Sequence, residues 1–276
     1  MDCTLGGGGH TQGFLRAFLG NPRLAHHKVL GIDQDAQAIA RAQNRFSQEI
    51  REGSLVIQQA RFSQLQEIAG SRPVLGILAD LGFSSDQINS PERGLSFQNS
   101  GPLDMRLDPS QGMTCLEYLQ AVSEKDLADV IYEFGEERFS RQIASAITQA
   151  RRSKNLPKTS SDLAQLIWNS VPSAARHGRI HPATRTFQAL RIVINGEMEE
   201  LDSLLNHGMM ILKPGGRVAI ISFHSLEDRK VKQVFKGKDS AFEQLSKKPQ
   251  VPDDDEIRTN PRSRSAKLRI AERVTI

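Results

Sequence analysis

The chain of 276 residues contains only two cysteines and lacks any long run of apolar side chains. No segment approaches the roughly 20 apolar residues that cross a bilayer, so the sequence predicts neither a transmembrane helix nor a membrane partner. Residues 1–6 show neither the basic stretch nor the apolar stretch of a secretory signal. Cys3 and Cys115 lie far apart and beside no histidine at ligand spacing. We therefore predict two free thiols in a cytoplasmic protein, without disulfides and without a metal site.

Aromatic side chains are also scarce, at 5% of the residues, and the formal net charge is only +4. Such a small positive excess permits an anionic partner but does not require one. The basic residues concentrate in two segments, residues 176–185 and residues 258–273. Either segment suits a solvated surface as well as a phosphate-binding one, so composition alone leaves nucleic-acid binding open.

Short apolar runs alternate with helical patterns over the first third of the chain. The runs lie at residues 29–32, 55–57 and 74–79. Asp33 and Asp80 end the first and the last of them, and helix formers fill residues 34–45. Such alternation is typical of a parallel sheet with crossover helices, and near-continuous apolar runs indicate strands buried on both faces. The sequence therefore predicts an α/β fold with a mostly parallel sheet.

The pattern changes in the middle of the chain, where strand signals are absent from about residue 112 to residue 178. Three amphipathic stripes occur there, and Ser123 and Thr159 are residue types that cap helix N-termini. We predict an all-helical subdomain at 109–182, inserted between a first core part at 1–108 and a second at 183–276. Strand patterns return at 217–223 and 267–271, and the polar segment 236–257 between them is predicted to be a loop.

The most distinctive local feature of the sequence is a run of four glycines, residues 6–9, followed by His10. Backbone without Cβ atoms can approach a ligand closely, and the helix predicted after it would offer free N–H groups to an anion. Asp33 lies 20 residues beyond Gly13, at a strand end, where a carboxylate can accept both hydroxyls of a ribose. Asp80 ends another strand at the same edge. A flexible loop or a turn-capping aspartate explains each feature singly, but together they predict a cofactor that contains a nucleoside.

Two common nucleotide-binding classes do not fit this loop. No Lys-Ser or Lys-Thr pair follows the glycines, so the loop is not a Walker A motif and triphosphate binding is not predicted. The spacing of Gly7, Gly9 and Gly13 also differs from the dinucleotide fingerprint. A methionine carboxylate needs fewer contacts from the loop than a pyrophosphate does.

Seven sequence blocks, in order along the chain, resemble the successive signatures of one family. They are residues 6–10 (GGGGH), 32–35 (IDQD), 80–87 (DLGFSSDQ), 101–106 (GPLDMR), 181–189 (HPATRTFQA), 221–229 (ISFHSLEDR) and 260–262 (NPR). The family is the bacterial 16S rRNA cytosine-N4 methyltransferases, called RsmH and formerly MraW. A glycine loop alone is a weak signal, but seven blocks in register from residue 2 to the C-terminus are very specific.

The resemblance implies a class I, Rossmann-like methyltransferase that uses S-adenosylmethionine and carries a helical insertion. It implies methylation of the exocyclic N4 amine of a cytidine in the decoding region of 16S rRNA. It also implies that Gly8, Gly9 and His10 contact the methionine part of the cofactor and that Asp33 holds its ribose. Phe62, Asp80 and Gln87 would line the rest of the cofactor pocket.

The sequence departs from the family pattern at its start. Family members carry some tens of residues before the glycine loop, including most of the first strand, whereas here the loop begins at Gly6. A loop that positions a ligand needs a strand anchored in the sheet, and five residues are expected to make a poor anchor. The alternative interpretation is therefore a protein that binds RNA or cofactor without turnover.

The residue that accepts a proton or hydrogen bond from the N4 amine is not assigned by the sequence. DNA amino-methyltransferases use an Asp/Asn/Ser-Pro-Pro-aromatic motif, whereas residues 80–83 here read DLGF. Asp104 is a weak candidate, and a loop aspartate paired with Arg106 is an equal alternative. Basic and stacking side chains for a splayed base are expected in the helical insertion and in residues 181–185. For His181 and His224, packing or capping is at least as expected as a role as a base.

Overall fold

The computed structural model describes residues 1–178, 180–237 and 241–274. The chain forms two compact units, one of Met1–Phe83 with Met198–Ile276 and one of Ser84–Glu197. The strands are β1 Val29–Asp33, β2 Leu55–Gln59, β3 Val74–Asp80, β4 Leu212–Ser222, β5 Phe242–Gln244 and β6 Lys267–Arg273. All six belong to the first unit, which is the α/β core.

The helices, numbered along the chain, belong to both units. They are α1 Gly9–Leu19, α2 Ala36–Arg45, α3 Ser47–Arg51, α4 Leu65–Ala69, α5 Ser85–Asn89, α6 Cys115–Ala121, α7 Glu124–Gly135, α8 Ser140–Arg152, α9 Ser160–Ser170, α10 Ser173–Arg176, α11 Ala183–Asn195, α12 Glu197–Asn206, α13 Ser225–Lys236 and α14 Asp254–Thr259. Single 3-10 turns lie at Phe62–Gln64, Pro91–Arg93, Gly208–Ile211 and Pro261–Ser265. No described helix is both long and apolar enough to span a membrane.

The sheet is mostly parallel, as the apolar runs predicted. β1 pairs with β2 and β3 with β4 in parallel, while β6 runs antiparallel between β4 and β5. Parallel strands connected through helices are buried on both faces, which agrees with the apolar β1 and the buried second half of β3, whereas β2 leaves Val56 exposed. The predicted α/β class with a mostly parallel sheet is confirmed.

Residues 1–5 occupy the position between β1 and β3. Asp2 forms parallel bridges to both Gly31 and Leu78. Five backbone hydrogen bonds of 2.8–2.9 Å connect this segment to its two neighbours: Asp2 N–H to Leu30 O, Cys3 N–H to Leu78 O, Leu5 N–H to Ile32 O, Ile32 N–H to Asp2 O and Leu78 N–H to Met1 O. The glycine loop therefore follows a segment that is anchored on both sides, and the expectation of a poor anchor is wrong. Short length is offset here because both backbone edges are paired.

Buried apolar side chains form a core cluster next to the glycine loop. The cluster consists of Leu5, Leu15, Val29, Ile39, Ala42, Phe46 and Leu55. Asp35 caps α2 by accepting from Gln37 N–H at 2.9 Å, and Ile39 and Ala42 bury the inner stripe of that helix. The cap and the stripe together fix where α2 begins and which side faces the sheet.

The helical unit has its own core and no strand among its described residues. Ser123 and Thr159 are N-caps, as predicted, and accept from the N–H groups of Asp126 and Asp162. The buried stripes meet through Leu127, Ile131, Ile143, Ile147, Leu163 and Ile167. The unit runs from Ser84 to Glu197, wider than 109–182, because Leu103 and Met105 pack into its core and α11 packs on α7.

The polar segment after α13 is not all loop. Phe242–Gln244 forms the edge strand β5, a run too short to show alternation in sequence. Asp253 caps α14 by accepting from Glu256 N–H at 2.7 Å, and the acidic run that follows fills the first turn. Acidic side chains at a helix N-terminus are stabilised by the helix dipole. The prediction of a continuous loop over 236–257 is therefore wrong for the described part of that segment.

Candidate functional site

The glycine loop turns from the anchored segment into α1. Gly6 and Gly8 both have positive φ, 46° and 77°, a backbone conformation that residues with a Cβ rarely adopt. Gly8 is the N-cap of α1 and provides no side-chain acceptor to its first turn. That turn contains no acidic residue. The N-terminus of α1 is thus open to an anionic group.

Asp33, at the tip of β1, holds the start of this loop. Its Oδ2 accepts from Gly6 N–H at 2.8 Å, and its Oδ1 accepts from Asp35 N–H at 2.9 Å. Burial raises the pKa of Asp33 above its usual value, although the two backbone hydrogen bonds oppose this rise. Each carboxylate oxygen retains a further lone pair, so the group can still accept from a ligand hydroxyl.

Asp80, at the tip of β3, faces the first turn of α1. His10 Nε2 lies 3.3 Å from Asp80 Oδ2, and the hydrogen bond to this carboxylate raises the pKa of His10. Asp80 N–H donates to Thr4 Oγ1 at 2.7 Å. Asp80 Oδ1 is buried and has no hydrogen-bond partner among the residues that the structure describes. An unsatisfied buried carboxylate oxygen is costly, so this atom is available to a donor on a ligand.

Phe62 lies just beyond β2, at the same edge of the sheet. Ala60 N–H donates to Asp33 O at 2.9 Å, which ties the end of β2 to the end of β1. Phe62 opens the short 3-10 turn that follows and is only partly buried. A half-exposed aromatic ring beside a strand tip can stack on a planar base.

The residues of this edge fit a cofactor such as S-adenosylmethionine. A Cβ added to Gly7 or Gly9 would meet nothing within 4 Å, so these glycines leave open space rather than relieve a clash within the protein. The open loop, the helix N-terminus, the Asp33 carboxylate and the unpartnered oxygen of Asp80 offer donors and acceptors of the kind a nucleoside and an amino-acid group need. Six of the seven predicted cofactor residues belong to this unit: Gly8, Gly9, His10, Asp33, Phe62 and Asp80.

The seventh, Gln87, belongs to the helical unit. It is 5% exposed and completes the capping box of α5, in which Gln87 Oε1 accepts from Ser84 N–H at 2.9 Å. Its amide is therefore held in one orientation by the helix that carries it.

Asp104, the weak candidate for the acceptor of the reaction, forms a two-point ion pair. Arg106 donates from Nε to Oδ1 at 2.7 Å and from Nη2 to Oδ2 at 2.9 Å. Partial burial favours the neutral acid, but the hydrogen bonds from Arg106 outweigh it and the pKa of Asp104 lies below its usual value. The carboxylate thus stays ionised and can accept a hydrogen bond, whereas a proton would be held only weakly. The pairing with Arg106 is the arrangement that the sequence offered as the alternative.

The sequence patterns do not single out Asp2, a fully buried carboxylate near the loop. Asp2 is 0% exposed, and its oxygens accept from Thr4 N–H at 3.2 Å and from Thr11 Oγ1 at 2.7 Å. It therefore connects the anchored segment to α1 beneath the glycines. The signal was present as an Asp-x-Thr pattern that is separated from the glycine run by one residue.

The helical unit has a cavity of about 380 Å³ with a mixed apolar and charged lining, which includes Glu137, Arg138, Phe139, Val171, His181 and Arg185. The Arg138 guanidinium lies 4.6 Å from the centre of the Phe139 ring, and Arg185 Nη1 lies 3.9 Å from the nearly buried Glu137 carboxylate. Two arginines, Arg138 and Arg185, and the aromatic ring of Phe139 therefore line the same cavity.

Both histidines singled out in the sequence have structural contacts. His181 stacks on Trp168 with ring centres 5.2 Å apart, and burial lowers the pKa of His181. Its Nδ1 accepts from Ala183 N–H at 3.1 Å, so the neutral ring carries its proton on Nε2. His224 caps the N-terminus of α13. Packing accounts for His181, and capping accounts for Nδ1 of His224, whose Nε2 lies 3.1 Å from Glu227 Oε1.

Relatives of known name match over nearly the whole chain. A protein of Synechococcus elongatus called ribosomal RNA small subunit methyltransferase H is 45% identical over 274 residues, which cover 99% of this chain and 88% of that protein. A protein of the same name from Sorangium cellulosum is 46% identical over 278 residues, covering 99% and 84%. A solved putative methyltransferase from Streptococcus mutans, in complex with SAH, is 13% identical with a TM-score of 0.37, covering 99% and 86%.

The family model described as the MraW methylase family matches residues 1–274. The resemblance indicated by the seven sequence blocks is thereby confirmed, together with the class I, S-adenosylmethionine-dependent methyltransferase fold and its cofactor. The alternative of a binding protein without turnover gains no support, since the loop that it assumed to be unanchored is anchored. The chain belongs to the MraW methylase family.

Proposed function

We propose that this methyltransferase transfers a methyl group from S-adenosylmethionine to the exocyclic N4 amine of a cytidine in the decoding region of 16S rRNA. The observation that carries the proposal is the set of strand tips tied together by Asp33 and Asp80, in a chain 45% identical to a ribosomal RNA small subunit methyltransferase H over 99% of its length. A ribosomal substrate places the reaction in the cytoplasm. The small ribosomal subunit is the partner.

The geometry of the strand edge supports the proposed cofactor residues. Gly8, Gly9 and His10 would hold the methionine part, since they form the open N-terminus of α1. Asp33 would accept from the ribose hydroxyls with its remaining lone pairs. The remainder of the cofactor pocket is assigned to Phe62, Asp80 and Gln87.

Alignment is the main task of the protein in this reaction. When bound, S-adenosylmethionine supplies an activated methyl group on a sulfonium. The cytosine amine is a poor nucleophile because its lone pair is delocalised into the ring, so it must be held in line and rotated. Asp104 remains the candidate acceptor for one N4–H, because its low pKa keeps it ionised and hydrogen bonding, rather than full proton removal, is then its role.

RNA recognition is assigned to the helical unit. A cytosine is reached only when it is single-stranded or turned out of its stack, and such bases are held by aromatic and arginine side chains. Arg138 and Arg185 line the cavity together with Phe139, and the ion pair with Glu137 orients Arg185. These side chains support the role of substrate recognition that we propose for the helical unit.

Nucleoside analysis of methylated ribosomal subunits tests the reaction. Small subunits from a strain that lacks this gene should gain one N4-methylcytidine per 16S rRNA when incubated with the protein and labelled S-adenosylmethionine. Methylation confined to another nucleoside, or N4-methylcytidine that persists unchanged in the deletion strain, contradicts the proposal. Other cytosine-bearing RNAs as competitors distinguish 16S rRNA from a broader substrate.

Charge removal at the cavity tests the assignment of the helical unit. Arg138→Gln and Arg185→Gln should each weaken binding of the small subunit. Each should also reduce the slope of log K against log salt concentration by the amount expected for about one phosphate contact. Arg152→Gln, at the exposed end of α8, is the matched control. Equal loss in all three variants would indicate general electrostatics rather than a site.

A further inference from the structure

The peptide between Gly7 and Gly8 is held at both of its polar ends. Gly8 N–H donates to Leu5 O at 2.6 Å, and the carbonyl oxygen of Gly7 accepts from Arg45 Nη1. Two successive glycines impose almost no preference on the orientation of the peptide plane between them. The direction of this plane therefore depends on the two hydrogen bonds and not on local backbone sterics.

Arg45 reaches the loop from the last turn of α2 and contacts it twice. Besides the Gly7 carbonyl, its Nη2 donates to Gln12 Oε1 at 2.8 Å. Gln12 belongs to the first turn of α1, so one guanidinium bridges the residue before Gly8 and the helix after it. A planar fork of N–H donors is suited to two acceptors at once, whereas an ammonium group is not.

Phe46, the next residue, supports the loop from below. A Cβ on Gly8 would lie 2.4 Å from Phe46 Cε2 and 2.8 Å from Cζ, so the backbone of Gly8 rests on this ring. Phe46 is 2% exposed, and the Arg45 guanidinium lies 5.1 Å from its centre. The ring thus fixes the position of the Gly8 backbone, and the guanidinium fixes the orientation of the peptide between Gly7 and Gly8.

We propose that Arg45 is a positioning residue of the cofactor site: it locks the Gly7–Gly8 peptide, and with it the entry of the loop into α1, so that the free N–H groups at the N-terminus of α1 face the ligand. The inference rests on the proposed assignment of Gly8, Gly9 and His10 to the cofactor. Arg45 itself acts through the loop. In its absence the peptide can rotate, and binding must first select the competent orientation.

Cofactor binding without RNA provides the test. Arg45→Gln should raise the Kd for S-adenosylmethionine in calorimetry about tenfold, because two hydrogen bonds that orient the loop are lost. Arg45→Lys keeps the charge but lacks the fork and should fall between Arg45→Gln and wild type. Arg51→Gln, which removes the same charge at the exposed end of α3, is the matched control and should bind as wild type does.

Two further readouts separate positioning from general stability. Amide hydrogen exchange of residues 6–12 should accelerate in Arg45→Gln, while exchange in α7 of the helical unit stays unchanged. The kcat at saturating cofactor should stay within about twofold of wild type, with the change confined to KM for the cofactor. If Arg45→Gln does not fold, Gln12→Ala removes one of the two bonds and should raise the Kd about threefold.

Wild-type affinity in Arg45→Gln, or an equal loss in Arg51→Gln, would overturn the inference. Failure of the proposed function has a different signature. If the wild-type protein binds S-adenosylmethionine but methylates no 16S rRNA, the substrate assignment fails, whereas the comparison of Arg45→Gln with Arg51→Gln keeps its meaning.

Discussion

His10 Nε2 lies 3.3 Å from Asp80 Oδ2, which connects the first turn of α1 to the tip of β3. This contact links the glycine loop to the third strand tip in the same way that Asp33 links it to the first. Because the hydrogen bond to Asp80 raises the pKa of His10, the strength of the link depends on pH.

The first prediction concerns this pH dependence. A histidine whose pKa is raised on folding stabilises the protein fully below its unfolded pKa of about 6.5, and the contribution is lost as pH rises through the higher folded value. His10→Gln should therefore lower the free energy of unfolding at pH 5.5 but not at pH 9. Both side chains are partly exposed, so the difference should be at most about 1 kcal/mol.

Urea unfolding at the two pH values measures this effect. His207→Gln, at an exposed histidine, controls for the loss of a histidine as such. A destabilisation by His10→Gln that is the same at both pH values would show that the ion pair does not contribute.

The second prediction concerns Asp33. Replacement by alanine removes the acceptor for the ribose and also the acceptor for Gly6 N–H, so S-adenosylmethionine binding should weaken by about 1–3 kcal/mol. Burial raises the pKa of Asp33, and the protonated form loses acceptor capacity. The affinity of the wild-type protein should therefore fall as pH drops through this raised pKa, at a higher pH than for an ordinary aspartate.

Calorimetry from pH 5 to pH 8 checks both parts. Asp33→Asn should bind weakly and without the acid-side decline, whereas Glu67→Gln, at an exposed carboxylate of α4, should behave as wild type. An unchanged affinity in Asp33→Ala would contradict the placement of the ribose.

The third prediction concerns the hydroxyl of Thr11, which is buried and donates to Asp2 Oδ2 at 2.7 Å. Thr11→Val keeps the shape of the side chain but leaves a buried carboxylate oxygen without this donor. The free energy of unfolding should fall by about 1–3 kcal/mol, while Thr11→Ser should retain most of the stability. Denaturant unfolding measures both, and equal stability of the two variants would mean that the hydrogen bond contributes nothing.

The part of the fold that could be predicted is the part with local signals. The strand tips Asp33 and Asp80 were visible because each ends an apolar run, and the caps at Ser123 and Thr159 were visible because short polar side chains precede amphipathic stripes. Periodicity and capping are properties of neighbouring residues, so a single sequence displays them.

What the sequence concealed depends on partners distant along the chain. Residues 1–5 look too short to be a strand, and only pairing with both Gly31 and Leu78 makes them one of the anchors of the sheet. The contact of Arg45 with Gly7 spans 38 positions, and no periodic pattern indicates it. The edge strand Phe242–Gln244 likewise forms because β6 provides a partner.

The last prediction contrasts two glycines in helices. A Cβ on Gly135 would lie 2.6 Å from Arg185 O, where α7 packs against α11, so backbone atoms of both helices would have to move apart. Gly135→Ala should therefore cost about 1–3 kcal/mol of unfolding free energy. A Cβ on Gly13, inside α1, would meet nothing within 4 Å, and Gly13→Ala should stabilise the protein by about 0.5–1 kcal/mol because alanine favours the helix. Denaturant unfolding tests whether the two changes in unfolding free energy have opposite signs. An unchanged unfolding free energy in Gly135→Ala would mean that the backbones of α7 and α11 are not in close contact at this position.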